Sequence, residues 1–131
     1  MDSTALGLNN GTSWFNAFTK LQDALNNASA CDTIFVAKGT YYPDEGIGMV
    51  NDDRGASFNI SDSVVVLGGF PSGGGPRDRM ANLTLLSGAI GPMADTSDNS
   101  YQVVRMEDVS ALTQLDGFTI SFGNANGTGR T

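Results

Sequence analysis

Apolar residues change their spacing once along this chain. Trp14, Phe18, Leu21 and Leu25 recur every three or four positions, which places them on one face of a helix. Ala17, Ala24 and Ala28 widen the stripe, Lys20, Gln22 and Asp23 fall opposite it, and Thr12 and Ser13 offer N-cap oxygens. The spacing predicts one amphipathic helix over about 14–27. From Asp32 onward the pattern is that of short strands. Residues 33–37, 40–42, 57–60, 64–67, 83–86, 101–106, 112–115 and 118–122 are β-rich runs bounded by Gly, Pro, Asn, Asp and Ser. A polar, acidic excursion over 44–55 and a glycine-rich loop over 71–76 interrupt them.

Three of the runs end in an echo: Leu67-Gly68-Gly69-Phe70, Leu86-Ser87-Gly88-Ala89 and Leu115-Asp116-Gly117-Phe118. The offsets of 19 and 29 residues lie near solenoid repeat lengths. Glycine at the third position lets the chain turn with positive φ, so that the flanking apolar residues face one interior. The expectation is an all-β parallel β-helix (solenoid) whose three echo leucines stack. Residues 1–31 would form an N-terminal loop and capping helix, covering the open edge of the first coil. Residues 32–131 would form about three to five coils. The alternative is three unrelated hairpin turns in a sandwich, with antiparallel strands through the same leucines.

Composition narrows the partners more than the fold. The chain has 131 residues, 17 of them glycine, and a formal charge of −7 with a pI near 4.1. Such acidity repels nucleic acid and disfavours a basic membrane-surface helix, and no run has the length of a membrane span. Histidine is absent, which excludes Ser-His-Asp and Cys-His catalysis and the usual histidine-containing zinc sites. The single cysteine, Cys31, forms no intrachain disulfide and reads as a buried structural thiol. Met1-Asp2-Ser3-Thr4 has neither the basic start nor the apolar stretch of a secretion signal. The expectation is a signal already removed or an excised piece. Residues 123–131 read as the middle of a loop, with further coils expected beyond.

The order of motifs resembles the amino-terminal part of bacterial right-handed parallel β-helix proteins of the pectate-lyase-like group. The resemblance rests on Asn9-Asn10-Gly11-Thr12-Ser13-Trp14, on Leu21-Gln22-Asp23-Ala24-Leu25, and on the run from Asp32 to Pro43. Val65-Val66-Leu67-Gly68-Gly69-Phe70, Leu85-Leu86-Ser87-Gly88, Leu115-Asp116-Gly117-Phe118-Thr119-Ile120 and Gly123-Asn124-Ala125 extend it. Such proteins usually begin with a short strand before the Asn-Asn-Gly segment, and here that strand is missing or altered. The resemblance implies a right-handed helix and an extracellular or cell-surface location. It implies no single activity, because members include polysaccharide lyases, hydrolases and adhesins.

Candidate chemistry is sparse. Asp44, Glu45, Asp52 and Asp53 cluster with Asn51 and Arg54. Oxygen ligands of this kind would take calcium, or two carboxylates would serve a glycosidase. The EF-hand pattern is absent, and a solvated acidic loop is the plainer reading. Asp95 and Asp98 form a second acidic turn. Arg77 and Arg79, the nearest approach to a lyase base, read as partners of Asp78 or other nearby acids. Asp116 occupies a corner slot that holds Gly68 and Ser87 in the other echoes. The loop Ser72-Gly73-Gly74-Gly75 lacks the Lys-Ser/Thr of a phosphate-binding loop. Five Asn-x-Ser/Thr sequons, at Asn10, Asn27, Asn59, Asn82 and Asn126, follow from composition. No regular Thr-x-Thr ladder recurs, which argues against an ice-binding face. Trp14, Phe18, Phe35, Phe58, Phe70 and Phe118 all fall on apolar faces and are assigned to the core. Tyr41 and Tyr42 remain as sugar-stacking candidates, since one of two adjacent strand residues points outward.

The resulting expectation is a structural and binding module of an extracellular protein. It contacts carbohydrate or a surface partner through Tyr41, Tyr42, Asp52 and Asp53, and self-associates through an uncapped coil edge. Catalytic residues, cofactor and nucleic-acid partner are all assigned as none. The alternative is the N-terminal part of a polysaccharide lyase or glycoside hydrolase whose catalytic coils lie beyond this chain.

Overall fold

The computed structural model describes residues 1–91 and 99–124. One helix, α1 (Leu21–Asn27), precedes eight strands: β1 (Thr33–Ala37), β2 (Gly39–Tyr41), β3 (Phe58–Asn59), β4 (Val65–Phe70), β5 (Thr84–Ser87), β6 (Val104–Arg105), β7 (Gln114–Asp116) and β8 (Thr119–Ser121). Each lies within or across one of the eight β-rich runs. They form three sheets, ordered β1-β4-β7, β2-β5-β8 and β3-β6, and every pairing is parallel. Strands three apart in sequence are therefore neighbours in space, and antiparallel hairpins through the echo leucines are ruled out. No helix among the described residues is long and apolar enough to cross a membrane.

The register explains which residues face the core. Ile34 pairs with Val66 and Val66 with Leu115; Tyr41 pairs with Leu86 and Leu86 with Ile120; Phe58 pairs with Val104. Members of all three sheets share one core, joined by Leu21, Ala24 and Leu25 of α1. Inward and outward positions alternate as the pleat requires.

The echo does not stack as expected. Leu67 pairs with Asp116, while Leu115 pairs with Val66 and Leu86 lies in a different sheet. A one-residue slip between Leu67 and Leu115 turns their side chains to opposite faces. The stacked corner is glycine on glycine: a Cβ at Gly68 would stand 2.6 Å from the Gly117 carbonyl oxygen. Gly69 and Gly117 have φ of 95° and 85°, as the corner requires, whereas Gly88 does not turn this way.

A recurring turn precedes each strand of the β1-β4-β7 sheet. Ser29, Ser61 and Ser110 each stand four residues before the strand positions Thr33, Val65 and Gln114. Their carbonyls accept from Asp32, Val64 and Thr113 N–H at 3.0, 3.3 and 3.1 Å. Successive turns are tied together by Cys31 N–H to Ser63 O (2.9 Å) and Ser63 N–H to Thr113 Oγ1 (2.8 Å). Asp62 accepts from Ser110 N–H and the Thr113 hydroxyl, and the bonds from Ser110 above all hold its carboxyl below the usual range. Cys31 occupies the left-handed position of its turn (φ 73°), so it is exposed and not a buried thiol.

The helix is half the length expected. Ser13 Oγ does accept Asn16 N–H at 3.1 Å, as an N-cap would. Propagation fails because the next carbonyls are taken by other partners. Phe15 O accepts Gly7 N–H, Asn16 O accepts Asn10 and Gly11 N–H, and Phe18 O accepts Asp2 N–H. Lys20 is extended at φ −119°, ψ 131°, and α1 begins after it. Gln22 and Asp23, expected on the outer face, are buried. Gln22 Nε2 donates to Pro43 O (2.7 Å) and Ser57 O (2.8 Å), and Asp23 Oδ1 accepts Ile47 N–H (2.8 Å). The polar side of α1 thus clamps the excursion between β2 and β3.

Candidate functional site

The outer edge of β1 borders a cleft. In its ladder with β4, Val65 N–H bonds Asp32 O. The alternation of a parallel ladder then turns the N–H and C=O of Thr33 and the N–H of Phe35 to the other edge. None of these three groups has a protein partner among the described residues. Farther along, the same edge is engaged. Met1 amine donates to Phe35 O (2.8 Å) and Ala37 N–H donates to Met1 O (2.9 Å), so Met1 sits opposite Val36 as one rung of a parallel ladder.

Beside this rung lies a cleft of about 350 Å³, lined by loop residues Gly11–Trp14 and Phe18 and by Ala24, Asn27 and Ala28 of the helical segment. Its floor is Asp32, Thr33, Ile34 and Phe35. The volume is at the lower end of the range of small-ligand clefts.

The loop wall is held by local polar bonds. Asn9 Oδ1 accepts Thr19 N–H (2.9 Å) and Asn10 Oδ1 accepts the Thr12 hydroxyl (2.7 Å). Asp2 Oδ1 accepts Thr4 N–H and the Thr4 hydroxyl, and its Oδ2 accepts Gly73 N–H (2.8 Å), which ties this end to the glycine-rich loop. Burial pushes the Asp2 carboxyl up, but these bonds outweigh it and hold it below the ordinary value. Burial lowers the Met1 amine, against the opposing pull of Asp2.

Aromatic residues line the outer rim. Phe70 lies 5.5 Å from Trp14 and 4.8 Å from Phe35, both pairs tilted. Trp14 rests on the glycine loop so closely that a Cβ at Gly74 would stand 2.3 Å from its indole. The assignment of all six aromatics to the core is corrected here. Phe58 is fully buried and half-buried Phe18 and Phe118 pack against the core, but Phe35 is 46% exposed, and half-buried Trp14 and Phe70 do not belong to that cluster. The outer face of β1 leaves Phe35 unburied, since the next element over it is a loop and not a sheet. The alternation Thr33-Ile34-Phe35-Val36 carries that signal, because Ile34 and Val36 inward place Phe35 outward.

The residues selected from sequence do not line this cleft. Tyr41 is 3% exposed and its hydroxyl donates to Ala37 O at 2.8 Å; burial raises its pKa to about 12. Its neighbour Tyr42 is half-buried. Asp52 and Asp53 are exposed, with Asp52 N–H donating to Asp44 Oδ2 and Asp53 Oδ1 accepting Gly55 N–H, both at 2.9 Å. Asp44 is buried and Glu45 pairs with Lys20, so the excursion is not a uniformly solvated acidic loop. Among the described residues no group of three acidic, cysteine or histidine side chains is placed to hold a metal ion such as calcium.

Arg77 and Arg79 converge on Asp116, at 3.6 and 3.0 Å, and not on Asp78. Asp78 Oδ1 instead accepts Met80 and Ala81 N–H within its own turn. Asp95 and Asp98 lie outside the described residues, as does the segment 125–131. Comparison with protein-family models, with curated proteins and with solved structures returned no match.

Proposed function

We propose that this chain is a non-catalytic structural and binding module of an extracellular or cell-surface protein. In this reading its three parallel sheets are the walls of a right-handed β-helix of the pectate-lyase-like kind, with the N-terminal loop and α1 covering the first coil. Its ligand is taken up in the cleft beside β1. A carbohydrate polymer or a protein partner is the ligand class that an extended solenoid surface suits.

The observation that supports binding most directly is the cleft itself: an aromatic rim formed by Trp14 and Phe35, next to unpaired backbone groups of Thr33 and Phe35. Exposed Leu112, Ile120 and Phe122 around β7 and β8 support self-association at the opposite edge. Sedimentation that rises with concentration is the expected behaviour, and a clean monomer at high concentration would count against it.

Trp14 is the only tryptophan, so its fluorescence reports on the cleft without labelling. A panel of oligosaccharides and short peptides should include ligands that shift this emission saturably. The same panel should yield no unsaturated products and no new reducing ends. Turnover of any polysaccharide would overturn the non-catalytic reading.

A further inference from the structure

We propose that two copies of this chain dock through an acidic, apolar tip on one and a basic, apolar corner on the other. The contact is separate from the exposed edge at β7 and β8.

The tip is the excursion between β2 and β3. Three buried polar side chains hold it: Gln22 donates to Pro43 O and Ser57 O, Asp23 accepts Ile47 N–H, and Asp44 accepts Asp52 N–H. What this buried scaffold presents is apolar, with Ile47 80% and Val50 66% exposed. A loop fixed in this way loses little freedom when it docks. Asp52 and Asp53 stand exposed in the same loop. With Asp44 and Glu45 they outnumber the nearby cations, which are Arg54 and the Lys20 that pairs with Glu45.

The corner lies at the other end of β2. Lys38 immediately precedes this strand, and Gly39 N–H bonds Leu83 O, which brings Leu83 alongside. Met80 and Leu83 are 94% and 61% exposed. Arg77 and Arg79 share the carboxylate of Asp116, and Lys38 has no acidic partner among the described residues. Asp78 lies in the same turn, so Lys38, Arg77 and Arg79 outnumber Asp78 and Asp116. In a chain of net charge −7 this is a local reversal of sign.

Charge complementarity selects a second copy as the occupant. The two surfaces are opposite in sign, each sets aliphatic beside charged residues, and every copy carries both. Their exposure shows that neither is covered within the chain. At physiological salt, charges more than about 8 Å apart are largely screened, so the overall charge does not prevent a contact whose facing charges attract. Two-fold pairing seats each tip on the other copy's corner, and the same contact is made twice. Ile47, Val50, Met80 and Leu83 together offer a small area, so the association is weak and depends on concentration.

Sedimentation equilibrium of the full chain tests the contact with two double variants at exposed positions. Val50→Lys with Asp53→Lys makes the tip basic, and Lys38→Glu with Met80→Glu makes the corner acidic. Each variant alone should associate at least about tenfold more weakly than the unaltered chain. An equimolar mixture of the two should recover association, because one contact is then native and the other has both signs exchanged. Ile47→Ser, which leaves the backbone clamp to Asp23 in place, should weaken association without any change of charge. Association of either double variant equal to that of the unaltered chain overturns the proposal. So does a mixture that stays dissociated, or an unaltered chain that is monomeric at high concentration. Ile120→Asp should leave the losses and the recovery as they are; if it alone abolishes association, the contact lies at the β7 and β8 edge and the proposal falls.

Discussion

The two ends of the stacked strands solve the same problem differently. In the sheet β2-β5-β8, the inward ladder Tyr41–Leu86–Ile120 runs from 3% to 0% to 49% exposure. Tyr41 lies in the edge strand β2 and is as well buried as Leu86 in the central strand β5. Loop and helix supply the cover that a neighbouring strand supplies to Leu86, with Leu21, Ala24 and Leu25 joining the same core. At the far end, among the described residues, no comparable element lies over Ile120, and Phe122 is exposed as well. Inward orientation is set by pleat and register, whereas burial depends on what stands next along the stack. The covered end is also built with polar clamps: Gln22 and Asp23 hold the excursion, and Asp2 holds the glycine loop.

The comparison breaks most visibly in the shared core. Phe58 has no exposed surface, so Phe58→Ala should cost roughly 3–5 kcal/mol in chemical denaturation. A loss below about 1 kcal/mol would mean that the three sheets do not depend on one core.

Next comes alkaline pH. Tyr41 is neutral in its buried site, with its pKa raised to about 12 from 10.0. Because the folded value exceeds the unfolded one, this contribution is complete below pH 10. It is lost as pH rises towards 12, a change on the order of 2–3 kcal/mol. Unfolding monitored across that window should be removed in Tyr41→Phe, although that variant also forfeits the bond to Ala37 O.

The polar clamp is the third test. Gln22→Ala leaves Pro43 O and Ser57 O without their donor, and should cost about 1–3 kcal/mol. The loss should be accompanied by faster proteolysis in the excursion between β2 and β3. An unchanged stability would show that α1 covers the core without fastening the loop.

The smallest effect belongs to the far end. Ile120→Ala should cost less than about 1 kcal/mol, since half of its surface already meets water. A loss equal to that of Phe58→Ala would show that the two ends are covered alike in solution.

Strand positions were legible in the sequence because β-branched and aromatic runs between turn residues are a local signal. All eight runs contain or overlap a strand. The short helix was only half legible. Its apolar stripe from Trp14 to Leu25 is continuous, but the carbonyls of Phe15, Asn16 and Phe18 accept from Asp2, Gly7, Asn10 and Gly11 before a helix can use them. No periodicity reports such competition. The repeat lies at a different place from the glycine echo, and register was needed to find it. Ser29, Ser61 and Ser110 precede in-register positions by a constant four residues, yet the intervals between them differ because of inserted loops, so a fixed period conceals them.

The candidate site shows the same division. The alternation of β1 by itself determined that Phe35 faces away from Ile34 and Val36, and the absence of histidine by itself removed whole classes of catalysis. Only the tertiary structure decided that Phe70 meets both Trp14 and Phe35, that Tyr41 is enclosed, and that Arg77 and Arg79 reach Asp116. Local patterns fix the direction of a side chain relative to its own backbone. Its neighbours come from segments tens of residues away, and their register and inserted loops are set by pairing between strands, which no short stretch of sequence contains.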